Sequence, residues 1–162
     1  MTPKLAVVFP GIGYTADKPL LYYTSRLASK HGYKIHTVSY GTLPENVKGD
    51  PKKMKQAFDL ALEQTERSLG SIDWNSYGSI LFISKSIGTV ISSAYASRHD
   101  LTVKSILFTP LAETFSLPLA GSIAFHGTAR SLGRNRFHPE TGSAERCTSL
   151  SHPKRQPFSG NR

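Results

Sequence analysis

Cysteine is nearly absent: Cys147 is the only one. One thiol excludes an internal disulfide and any cysteine-built metal cluster. No apolar run reaches the roughly 20 residues that a membrane-spanning helix needs, and the start, "MTPKLAVVFPG", has only a short apolar run that enters a turn at once. It lacks the longer apolar region and small-residue cleavage site of a signal peptide. The expectation is a soluble, cytoplasmic protein. Acidic residues are also scarce, 11 against 20 lysines and arginines, for a formal charge of +9. The excess is uneven. Residues 130–162 hold seven basic side chains and two acidic ones, so +5 sits in the tail and +4 is spread over residues 1–129. The tail has only Phe137 and Phe158 as aromatics, so it lacks the interleaved rings that stack on single strands. Nucleic acid is not the expected partner of the body.

What the chain does contain is alternation. "LAVVF" (Leu5–Phe9), stopped by Pro10 and Gly11, predicts a buried strand. Pro19 opens a helix whose Leu20, Thr24, Leu27, Ala28 and His31 share one face, and Gly32 ends it. Lys34–Tyr40 alternates as a second strand. Asp50-Pro51 pairs an N-cap acid with proline at the first helical position. Met54, Ala57, Phe58, Ala61, Leu62, Thr65 and Leu69 then form an apolar stripe. Ser79–Ile83 predicts a third strand, Ile87–Arg98 a third helix, Lys104–Phe108 a fourth strand and Ser122–Phe125 a fifth. Such alternation implies an α/β fold: a mostly parallel sheet of about five strands with helices on both faces. Ligands of such sheets bind at the carboxyl ends of the strands. Residues 1–129 make one domain. Residues 130–162, rich in Arg, Ser, Gly and Pro, form an irregular basic tail of disordered composition.

At one carboxyl end stands "SKSIGT", Ser84 to Thr89. A serine between a strand and a helix can be forced onto a sharp turn that exposes its hydroxyl and sets the next backbone N–H beside it. Small residues are needed two before and two after it, because strand and helix nearly collide there. Ser84 and Gly88 meet that need around the candidate nucleophile Ser86, although the usual first glycine is serine. The N–H of Ile87 follows the nucleophile. The second donor of an oxyanion hole is expected from the loop after the first strand, where Gly11 and Gly13 free the backbone around Ile12. A phosphate-binding loop would need G-x-x-x-x-G-K-[ST]. Positions 79 and 84 are both serine, so both glycines are missing.

These motifs give the chain a resemblance to the alpha/beta hydrolase superfamily, in its small single-domain form. They are Pro10-Gly11-Ile12-Gly13, Ser84-Lys85-Ser86-Ile87-Gly88-Thr89, and the strand end Ala124-Phe125-His126-Gly127-Thr128-Ala129. The resemblance covers residues 1–129. It implies a cofactor-free serine hydrolase acting on a small ester, thioester or amide, with Ser86 as nucleophile and Ile12 and Ile87 as oxyanion donors. It also implies an acid right after Ala129, then a histidine loop. The residue there is Arg130, and no matching acid or histidine loop follows.

A shifted reading frame accounts for the departure. With suitable codons, Arg130–His138 read one base later becomes Asp-Pro-Trp-Ala-Glu-Thr-Asp-Phe. The same offset turns Arg155–Arg162 into Gly-Asn-His-Ser-Leu-Glu-Thr. The missing aspartate and an Asn-His pair thus return where the resemblance wants them. As given, the chain is expected to lack the family's last strand and helix, to leave Ser122–Phe125 as an uncovered apolar edge, and to be severely impaired as a catalyst. Substitutes are weak. Glu113 follows the fourth strand as a solvated loop carboxylate, and Asp100 is at the wrong edge. His126 reads as a structural histidine, and His31 and His36 as surface residues. Lys85 either steers an anionic substrate or is solvated, and Tyr14 and Tyr40 either line the pocket mouth or pack there. The expected partner is a small acyl substrate. The alternative is a non-enzymatic binding domain whose basic tail contacts nucleic acid or an acidic surface.

Overall fold

A computed structural model of the chain describes residues 2–44, 46–47, 49–118, 120–127 and 148–150. At its centre lies β1 (Lys4–Phe9), buried at every residue but the first. Leu5, Val7 and Phe9 enter one core cluster and Ala6 and Val8 another. A strand between two cores has no solvent face, so its sequence is a continuous apolar run and does not alternate.

The sheet runs in the order β2-β1-β3-β4-β5-β6. Its other strands are β2 (Tyr33–Thr37), β3 (Ser79–Lys85), β4 (Lys104–Phe108), β5 (Ser122–Phe125) and β6 (Thr148–Leu150). All pairings are parallel. The helix α1 (Pro19–Lys30) covers one face through Leu21 and Ala28. On the other face lie α2 (Pro51–Leu69) and α3 (Ile87–Arg98), with Ala57, Ala61, Leu62, Ile87, Ile91 and Tyr95 in the larger cluster. The α/β architecture with helices on both faces agrees with expectation. From β1 the chain moves outward to β2, then returns to β3 on the other side of β1. The direction of winding therefore reverses between β1 and β3, and α1 and α3 leave on opposite faces. A crevice opens at that point, where open α/β sheets bind ligands.

Helix α2 starts as its sequence predicts. Pro51 is at its first turn, and the Asp50 carboxylate accepts from Lys52 N at 3.0 Å and Lys53 N at 3.1 Å. Three other expectations need correction. First, β2 ends at Thr37, three residues early. Val38 still donates to Val8 O at 2.9 Å, but the chain then turns away and packs Tyr40 against the larger cluster. Second, the buried stripe of α1 is Leu21 and Ala28, whereas Leu20 and Leu27 are 42% and 57% exposed. Apolar residues lie on both sides of this helix, and the sheet cluster selects the side. Third, β5 is not the sheet edge. Ile123, Ala124 and Phe125 pair with Thr148, Ser149 and Leu150. A three-residue strand is too short to announce itself by periodicity, and β5 supplies its register. The remaining tail residues, 130–147 and 151–162, lie outside the described residues, as do Thr128 and Ala129. No helix among the described residues is long and apolar enough to cross a membrane.

Candidate functional site

Ser86 joins β3 to α3, and its backbone belongs to both. Its N–H donates to Phe108 O at 3.0 Å, holding it to the neighbouring strand β4. Its carbonyl accepts from Thr89 N at 2.9 Å, the first turn of α3. Satisfying both forces φ 55° and ψ −122°. A left-handed φ on a residue with a Cβ costs on the order of 1–3 kcal/mol and persists only where the surroundings impose it. The conformation leaves the side chain half-buried at the head of the helix.

The neighbours are small for a measurable reason. A Cβ on Gly88 would fall 2.5 Å from Pro10 O and closer still to Phe9 O, so α3 touches the end of β1 directly. At Gly11 a Cβ would meet Lys85 O at 3.1 Å and Ser86 Cβ at 3.3 Å. Ser84 is fully buried opposite Phe9 and Leu107.

After β1 the chain makes a tight turn. Gly11 N donates to Tyr14 O at 3.0 Å and Tyr14 N to Gly11 O at 3.1 Å, with Gly13 at φ 69°. Those two bonds use the amides of Gly11 and Tyr14 and leave that of Ile12 outside the turn. Ile12 itself is 37% exposed. Ile87 is the first residue of α3, so its N–H has no acceptor within the helix. The Ile87 amide stands at the positive end of α3, and Gly11, which precedes Ile12, packs against Ser86 at the switch point of the sheet.

The structure also engages residues that sequence reasoning left open or missed. Lys85 is not a solvated side chain. It donates from Nζ to Thr109 Oγ1 at 2.6 Å and lies 4.8 Å above the Tyr14 ring. Thr109, at the end of β4, has φ 45°, which for a β-branched residue is a genuine outlier. Two strained residues thus stand side by side at the strand ends. Thr89 bonds Ser86 O at 2.6 Å and Thr114 Oγ1 at 2.8 Å, tying the segment after β4 to the first turn of α3. A non-glycine residue between a strand and a proline was the only local sign of Thr109.

Beside the elbow lies a cleft of about 320 Å³. Met54 and Phe58 of α2 form one wall and Ile87 and Val90 of α3 another; Leu111 and Glu113 close it from the segment after β4. Pro51 and Lys55 stand at the start of α2. Neither Tyr14 nor Tyr40 lines this cleft. The Tyr14 hydroxyl accepts from Leu20 N at 3.1 Å. The Tyr40 hydroxyl is buried without a hydrogen-bond partner among the described residues, and burial pushes its pKa well above the usual phenol range.

The histidines are dispersed. His36 is half-buried, and its Nε2 lies 3.1 Å from Ser68 Oγ, so it is not simply a surface residue. His31 is exposed after α1. His126 follows β5, two strands from β3, with Nδ1 buried and unpartnered among the described residues. Asp100 follows α3 at the opposite edge of the sheet, and Glu113 is exposed at the cleft. No histidine or carboxylate among the described residues bonds the Ser86 hydroxyl. No described group of three His, Cys, Asp or Glu side chains could hold a metal ion.

No family model and no curated protein matches the sequence. Solved structures do. One is a candidate alpha/beta hydrolase of unknown function from Agrobacterium tumefaciens, 15% identical with a TM-score of 0.51, covering 81% of this chain and 62% of that one. Another is an alpha-beta serine hydrolase homologue from Coxiella burnetii, 14% identical with a TM-score of 0.48, covering 78% of this chain and 62% of that one. The chain therefore spans less than two thirds of the length of these structures. The parallel sheet, its strand order and the Agrobacterium likeness together give this chain an alpha/beta hydrolase-like fold.

Proposed function

We propose that the chain is a serine hydrolase of the alpha/beta hydrolase type, acting on a small ester, thioester or amide through Ser86. The backbone of Ser86 carries this reading. A non-glycine residue at φ 55°, ψ −122° on a strand-to-helix turn is strained, and strain of this kind collects at working sites. On a turn of this kind the serine Oγ would face the crevice, with the N–H of the next residue, Ile87, beside it.

The chemistry would run in two steps. Ser86 Oγ attacks the acyl carbonyl, and the amides of Ile12 and Ile87 hold the negative oxygen that forms. The leaving group departs with the serine proton, and water then releases the acyl group from Oγ. Both steps need a base. The resemblance asks for an acid after Ala129 and a later histidine, and Arg130 occupies the acid position. Oxyanion donors and binding alone still leave a residual rate, so turnover should be lower by about 10⁴-fold or more than with a complete triad.

A fluorophosphonate probe read by peptide mass spectrometry tests this. Slow labelling confined to Ser86 is expected, and none in Ser86→Ala. Removing one base at codon 130 should restore the acid and histidine and speed labelling by orders of magnitude. A folded, frame-restored chain that stays unlabelled at Ser86 overturns the proposal.

A further inference from the structure

The cleft beside Ser86 carries information about the substrate. Ile87 contributes to both places: its backbone N–H follows the nucleophile, and its side chain lines the cleft. A carbonyl carbon placed at Ser86 Oγ therefore has the cleft within reach of its substituents. The walls are apolar. Ile87 and Val90 are buried at 3% and 9% exposure and form a fixed floor. Met54, Phe58 and Leu111 are partly buried against the larger core cluster and also line the cleft. The two ionisable lining groups, Lys55 and Glu113, both belong to exposed residues, and the Lys55 ammonium is paired with Asp59 at 2.6 Å. Away from these two exposed groups, the walls offer no side-chain partner for a polar or charged group brought in from water.

Size narrows the class further. At about 30 Å³ per water-sized group, a volume of about 320 Å³ holds on the order of ten such groups. We propose that this cleft seats the aliphatic acyl chain of the substrate, about six to eight carbons long, since the cleft is half open and its mouth leaves part of that volume to water. The proposal rests on the nucleophile assigned to Ser86. The acyl half is the better occupant because it stays bound through both steps, whereas the leaving group must escape after the first.

Two measurements on the full chain keep the cleft and the nucleophile apart. The first is a methyl NMR titration with 2-alkanones from 2-butanone to 2-decanone, which carry a carbonyl that cannot be hydrolysed. Ile87 and Val90 methyl resonances should shift, in the native chain and in Ser86→Ala alike. Affinity should rise by up to about fourfold per added methylene and level off near the octanone. Leu111→Trp should fill the cleft and abolish the length dependence; Phe58→Ala should move the plateau to longer chains. Both variants are checked for native circular dichroism, and one folded variant suffices. Absence of length dependence, or shifts confined to methyls away from the cleft, overturns the proposal. The second is labelling by ethyl, butyl and octyl fluorophosphonates. Labelling at Ser86 that ignores chain length also counts against the acyl seat. Ketone binding in the cleft with no labelling at Ser86, even in the frame-restored chain, would remove the nucleophile and the acyl assignment with it, leaving only an aliphatic binding site.

Discussion

At Ser86 a single residue serves as the last partner of a strand and the first acceptor of a helix. The strain this creates is testable apart from any activity. Glycine adopts φ 55° without a Cβ penalty and alanine does not. Ser86→Gly should therefore be more stable than Ser86→Ala by about 1 kcal/mol. Urea denaturation of the two variants decides it, and equal midpoints would mean the backbone is not held as described. Tyr40 offers a second test. Its hydroxyl is buried without a protein partner among the described residues, so Tyr40→Phe should stabilise the fold by about 1 kcal/mol. The pH dependence follows from the same burial. Burial raises the pKa of Tyr40 in the folded state, so the fold keeps this proton after the unfolded chain has begun to release it near about pH 10. The unfolded state then binds fewer protons, and stability falls as pH rises above that point. Burial raises the Tyr95 phenol too, so Tyr40→Phe should make the alkaline loss shallower without removing it.

At the scale of elements, the decisive contact is α3 against the end of β1. Gly88 allows it, because any side chain there would strike the carbonyls of Phe9 and Pro10. Backbone atoms of a central strand cannot yield as a flexible side chain would. Gly88→Ala should cost about 3 kcal/mol or more and disturb the elbow. Gly11→Ala, with its nearest neighbours at 3.1 and 3.3 Å, should cost less. Thermal unfolding of both variants checks the ranking, and a harmless Gly88→Ala would show that the helix can retreat. The start of α2 is a separate element with its own cap. Both Asp50 bonds go to backbone amides of the first turn, which no tertiary contact has to supply.

For the whole molecule, coverage of the sheet is unequal. Among the described residues, helices α2 and α3 bury one face, while α1 is the one helix on the other, through Leu21 and Ala28. Ile123 on β5 remains 43% exposed, as do Leu20, Tyr23 and Leu27 of α1 at 42%, 69% and 57%. Pairing with Thr148–Leu150 protects the backbone of β5 but does not cover Ile123. Ile123→Thr should lower self-association while keeping the strand, since threonine retains β-branching. Light scattering against concentration measures this. An unchanged profile would place the sticky surface elsewhere.

Some features of this protein are legible without coordinates because their causes lie within a few residues. Asp50-Pro51 caps its helix by bonds two and three positions away, and Leu5–Phe9 is apolar throughout because both of its faces are buried. Ser84 to Thr89 announces a tight strand-to-helix turn in its own small residues. Other features depend on partners far along the chain. The buried side of α1 was set by the sheet cluster, the end of β2 by Val8 and the larger core, and the place of Thr148–Leu150 by β5. Lys85 found its acceptor 24 residues later, and Thr89 its partner 25 residues later. Local signals choose conformations one segment at a time. Which face is buried, which hydroxyl is paired and where a cleft opens are decided only when the segments pack, because each needs atoms that the segment itself does not carry.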